Sequence, residues 1–162
     1  MIIFLKIILL VLFYLIFVQD YKDRMVYWFL YFSVGLIGFF IQLLSLNWKV
    51  LVINSFLNIS LICILIFGGI LYSKIIKREK FINNALGIGD VFMFFSLTLL
   101  FPTIPFFTFF VFSLIFSLLL HQLLKKNYRN HIHVPLAGYM AIFFSFIIIS
   151  SFFFNNNWLY TV

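Results

Sequence analysis

From residue 2 to residue 154 the chain reads as six apolar blocks separated by short polar interruptions: Ile2–Val18, Met25–Leu46, Val50–Tyr72, Leu86–Phe101, Ile104–Leu124 and Val134–Phe154. A helix needs about twenty apolar residues to cross a hydrocarbon core of roughly 30 Å, and most of the blocks reach that length. An open strand cannot satisfy its backbone in lipid, so helices are predicted for all of them. The expected fold is therefore an all-α membrane protein, a six-transmembrane-helix bundle. No long linker, internal repeat or second domain interrupts it, so residues 1–162 are expected to form a single integral membrane domain.

Composition agrees with that pattern. Hydrophobic residues make up 65% of the chain and charged ones 9%, too few to clothe a soluble domain in a polar surface. The 26 phenylalanines, in runs such as "PFFTFFVF", read as lipid-facing positions rather than as a motif. Cys63, the single cysteine, can form no internal disulfide and no multi-thiolate zinc site, and is expected as a buried free thiol. Lys6 and the first block have the look of a signal peptide, but no small-residue cleavage site precedes "QDYKDR", so that block is read as a retained first span.

The positive charges set the expected orientation. Lys22 and Arg24 follow the first span, Lys74, Lys77, Arg78 and Lys80 the third, and Lys125, Lys126 and Arg129 the fifth. The second loop has only Lys49, while the "PTIP" turn and the tail "NNNWLYTV" have none. The asymmetry predicts both termini outside, with Lys6 as a mild dissent. The net charge of +7 is then accounted for by topology and by anionic lipid at the inner leaflet, with no need of nucleic acid as a partner.

Only four acidic residues occur, Asp20, Asp23, Glu79 and Asp90. Asp20 closes a span that runs inward and Asp90 opens one that runs outward, so both are expected at one membrane face. A carboxylate at that depth is costly and calls for a reason, the plain alternative being that Asp20 and Asp90 are helix-end charges that snorkel to water. Two acids sharing a low-dielectric cleft cannot both ionise freely, and a pair with one proton supplies the acid and the base of aspartyl protease chemistry. No metal and no cofactor is called for. Gly87 and Gly89, lacking β-carbons, allow an extended peptide or the first helix to come close, or serve as a packing notch between helices.

These residues carry a resemblance. "LGIGDV" (Leu86 to Val91) is similar to the GxGD motif of intramembrane aspartyl proteases, and "QDYKDRMV" (Gln19 to Val26) resembles the D-x-x-x-x-x-[IV] segment of the type IV prepilin peptidase family. "HVPLAGYMAIFF" resembles that family's late signature, with Pro135, Ala137 and Gly138 in the matching places. The three segments follow family order and span the six-helix core. The resemblance implies an inner (cytoplasmic) membrane endopeptidase, part of type IV pilus assembly or protein secretion. Its substrates would be prepilins or pseudopilins, each losing a short basic leader on the cytoplasmic side of a hydrophobic N-terminal helix. By matching positions Asp20 and Asp90 are the catalytic pair. Asp23, flanked by Lys22 and Arg24, is the rival for the first role and reads more simply as a loop charge.

The chain also departs from the family. Val26, Tyr27 and Trp28 stand where Ile-Pro-Asn is usual, and Phe92 where a lysine is frequent. The cysteine-rich cytoplasmic loop of bifunctional members is absent, so neither N-methyltransferase activity nor zinc is carried over, and the likeness is to minimal members such as archaeal preflagellin peptidases. His121, His131 and His133 flank the fifth loop, yet no carboxylate or thiolate lies near them in sequence to complete a metal site. "KIIKREKF" (Lys74 to Phe81) is expected along the inner membrane surface. Two other function classes stay open: a proton- or cation-coupled transporter using the same aspartates, which six spans without a repeat serve poorly, and a catalytically inactive assembly factor of the same fold.

Overall fold

The computed structural model describes residues 1–77, 86–124, 135–153 and 160. They form six α-helices, α1 (Ile2–Lys22), α2 (Trp28–Ser45), α3 (Trp48–Tyr72), α4 (Ile88–Leu97), α5 (Thr103–Leu124) and α6 (Leu136–Phe153), and a π-helical turn, Ser73–Lys77, that follows α3. Five of them are long and apolar enough to cross a membrane, and α4, at ten residues, is shorter. The protein is all-helical among the described residues and is a multi-pass membrane protein. Outward faces carry exposed Phe4, Ile64, Ile104 and Phe153, as a bundle solvated by lipid requires. Most charges of the third and fifth loops, with His131 and His133, lie outside the described residues.

Two of the boundaries that differ from the sequence expectation have a local reason. Helix α1 continues past Val18 to Lys22, so Asp20 is in its last turn. There Asp23 N–H still donates to Gln19 O, and Arg24 adopts φ 53°, a left-handed exit that ends the helix. The fourth block does not stay helical to Phe101. Pro102 disfavours the helical conformation of the residue before it, and the chain tightens through Thr98 N–H to Phe95 O, Leu99 N–H to Ser96 O and Leu100 N–H to Leu97 O. Breaking a helix frees carbonyls that lipid cannot satisfy. Asn58 of α3 supplies the donor, its Nδ2 reaching Thr98 O at 3.0 Å and Phe101 O at 2.9 Å. One turn earlier, Asn54 Oδ1 accepts from Thr103 Oγ1 at 3.0 Å.

Helix α6 is the axis of the bundle: half of its most apolar stretch is buried, against 22% for α1 and for α5. It packs on α1 and α5, while α1 also meets α2, and α2 meets α4. Phe144 of α6 stacks with Phe13 and Phe101, ring centroids 6.3 and 5.8 Å away, and Phe94 meets Phe110 edge-on at 5.0 Å. Between α2 and the α4 segment the backbones come close at Gly38, where a β-carbon would stand 3.0 Å from Leu100 Cα.

Two residues sit otherwise than their sequence setting suggested. Cys63 is exposed on the bundle's outer surface, because Asn58 and Ile62, a turn apart, take the inward face of α3. Lys6 is buried, with Nζ donating to Ser151 Oγ at 2.8 Å and standing 5.7 Å from the centre of the Phe152 ring.

Candidate functional site

The start of α6 builds the site. Pro135 precedes the helix, and its carbonyl accepts the first intrahelical bond, from Tyr139 N–H at 3.2 Å. The next amides have no acceptor within the helix and carry the positive end of its dipole. Two of them are answered by carboxylates from distant parts of the chain. Ala137 N–H donates to Asp90 Oδ1 at 3.0 Å, and Gly138 N–H donates to Asp20 Oδ2 at 2.6 Å. Asp20 of α1 and Asp90 of α4 are thus side by side on consecutive amides of a third helix. They lie within electrostatic reach of each other.

Each neighbouring residue has a part in that seat. Gly138 is small because Asp20 leans on it: a β-carbon there would meet Asp20 Oδ2 at 3.0 Å and Asp20 Cβ at 3.2 Å. The close approach of the first helix therefore occurs at Gly138, not at Gly87 or Gly89. Gly87 begins α4 and donates its N–H back to Asp90 Oδ2 at 3.2 Å, so one carboxylate caps two helices. At Gly89 the neighbour is Tyr31 of α2, whose Oη lies 3.0 Å from where a β-carbon would stand. Tyr31 is buried and within electrostatic reach of both aspartates.

The seven residues singled out from sequence, Asp20, Asp90, Gly87, Gly89, Pro135, Ala137 and Gly138, are gathered in one place. Asp23 is exposed at the end of α1. Phe92 stacks on Tyr31, centroids 6.3 Å apart and planes at 22°. His121 is in the last turn of α5, and among the described residues no three histidine, cysteine or acidic side chains come together as metal ligands would. Sequence reasoning missed Tyr31, which carries no spacing signal in an aromatic-rich span. It also missed Asn54 and Asn58, whose separation by four residues in an otherwise apolar block was a readable sign of one polar face.

Beside the pair, an apolar cleft of about 300 Å³ runs between α1 and α6. Phe17 and Ile142 line its near end, about one turn from Asp20 and Gly138, with Phe13, Leu10 and Ile149 further along.

In comparison with known proteins, no family model, no curated protein and no solved structure matches this chain. The likeness to prepilin peptidases stands on its three short motifs.

Proposed function

We propose that this protein is an aspartic endopeptidase of the cytoplasmic membrane that removes the leader of pilin-like substrates. The reading rests on one observation: Asp20 and Asp90, seventy residues apart in sequence, have their carboxyl groups on the adjacent amides of Ala137 and Gly138. Capping alone needs only a neutral acceptor such as Ser or Asn. Two carboxylates in an apolar bundle exceed that need.

In the proposed reaction one carboxyl is ionised and the other protonated. The ionised group takes a proton from water while the water oxygen bonds to the scissile carbonyl carbon, and the protonated partner gives its proton to the carbonyl oxygen. Collapse of the resulting diol breaks the C–N bond: the departing nitrogen takes up the proton held by the first carboxyl, and a diol hydroxyl returns its proton to the second, which restores the starting pair. The amides of Ala137 and Gly138 hold the two groups in register throughout. The cleft between α1 and α6 suits the apolar segment that follows a leader in such substrates. In this reading both termini are outside, and Lys22 and Arg24 lie with the aspartates at the cytoplasmic face.

Co-expression with pilin-like proteins, followed by N-terminal sequencing, tests the reaction; intact leaders with every candidate would count against it. Reporters fused after Val162 and near Lys77 should mark opposite sides of the membrane.

A second reading has its own support, since each carboxylate is already engaged by backbone amides. In that reading the pair is a staple joining three helices, and the protein is an assembly factor without activity. It predicts that Asp90→Asn, which keeps an acceptor oxygen, leaves function untouched.

A further inference from the structure

The asparagines that satisfy the break after α4 are themselves only partly satisfied. Both protons of Asn58 Nδ2 are spent, one on Thr98 O and one on Phe101 O, so its Oδ1 is left as an acceptor. The Thr103 hydroxyl donates to Asn54 Oδ1, which leaves Asn54 Nδ2 as a donor. Neither atom has a hydrogen-bond partner among the described residues, nor does Ser55 Oγ beside them, and all three are shielded from the surface. Asn54 is 7% exposed and Asn58 0%. A buried polar atom without a partner is costly, and lipid around the bundle offers it none.

The three residues fall within little more than one turn of α3. Side chains four apart on a helix are neighbours, with β-carbons about 5–6 Å apart. Asn54 and Asn58 also reach toward the same segment, residues 98–103, yet they do not bond to each other. Their spacing is on the scale of two hydrogen bonds of about 2.9 Å in series through one oxygen. Ser55, three residues before Asn58, stands on the same side of the helix. Whatever joins them must accept from Asn54, donate to Asn58 and bond a hydroxyl. The Asn54 amide protons repel a cation and Asn58 Oδ1 repels an anion. Water meets all three demands, and three bonds is the usual number for a buried water.

We infer that Asn54, Ser55 and Asn58 form a binding site for one structural water, which joins α3 to the segment that ends α4. The site is at the opposite end of α4 from Asp90 and does not depend on the proposed reaction. It accounts for three polar side chains in one stretch of an apolar span, of which the bonds to Thr98, Phe101 and Thr103 explain only part.

The test is proton-detected solid-state NMR of the full-length protein in lipid bilayers. It reads the transfer of magnetisation from water to the side-chain amides of asparagine, each assigned through its own backbone. The Asn54 amide is expected to receive magnetisation from water although helices enclose it. Ser55→Ala removes one of the three partners and no other hydrogen bond of the break, and should cut that transfer by about half. Absence of transfer to Asn54 in the unaltered protein would overturn the inference, and that reading stands without the variant should Ser55→Ala lose its helical circular dichroism. Transfer left unchanged by Ser55→Ala would overturn the site as composed. Transfer that disappears when sodium replaces a bulky organic cation in the buffer would assign the position to a cation and overturn the inference as well.

Discussion

The two ends of α4 solve the same problem with different chemistry. Ten residues leave the helix short of a full crossing, so both of its ends meet other helices inside the bundle. At the C-terminal end, the carbonyls of Thr98 and Phe101 are taken by a neutral amide, Asn58. At the N-terminal end, Gly87 and Ala137 donate instead to a carboxylate, and a second carboxylate stands beside it on Gly138. Neutral groups satisfy backbone at lower desolvation cost, as Asn58 does. Two acids at the other end exceed what a structural join needs, and that excess is the ground of the proposed proton-transferring site.

The largest expected effect follows directly. If the N-terminal end is chemical, Asp20→Asn or Asp90→Asn should lower leader removal by about a hundred- to ten-thousand-fold while membrane insertion and helicity are kept. The double variant should be little worse than either single one, because the two groups act as a unit. Full processing by the double variant, read by N-terminal sequencing, would falsify the mechanism and make the two ends alike.

The C-terminal end should respond in stability instead. Asn58→Leu leaves two carbonyls without a donor in a low-dielectric interior, and is expected to cost about 1–3 kcal/mol for each. Thermal unfolding in detergent measures it; an unchanged midpoint would mean that the break does not depend on Asn58.

Between the two ends, the seam of α2 against the α4 segment offers a finer comparison. A β-carbon at Gly38 would meet Leu100 Cα at 3.0 Å and Leu99 O at 3.1 Å, whereas one at Gly35 has its nearest neighbours at an ordinary 3.6 Å. Gly38→Ala should therefore cost about 1–3 kcal/mol by overpacking. Gly35→Ala should stay within about 0.5 kcal/mol, and equal losses on thermal unfolding would contradict the packing described. The smallest effect is expected at Asp23. This exposed residue at the end of α1 should tolerate Asn with processing unchanged and stability within about 0.5 kcal/mol.

The apolar blocks by themselves determined that this is a helical membrane protein and placed five of its long helices, because in lipid the backbone must pair within each segment and the length follows from the bilayer. The rarity of acids singled out Asp20 and Asp90 for the same reason, a charge in hydrocarbon being expensive. What the sequence could not contain was the partner of each group. The seat of Asp20 on Gly138 joins positions 118 residues apart. Tyr31 over Gly89 and Asn58 under the break after Leu97 depend on which faces of the helices meet. Apolar spans this uniform carry little periodic signal to choose a face, so that choice was left to packing around α6. Packing also turned Cys63 outward, buried Lys6 against Ser151, and ended α4 four residues before Phe101.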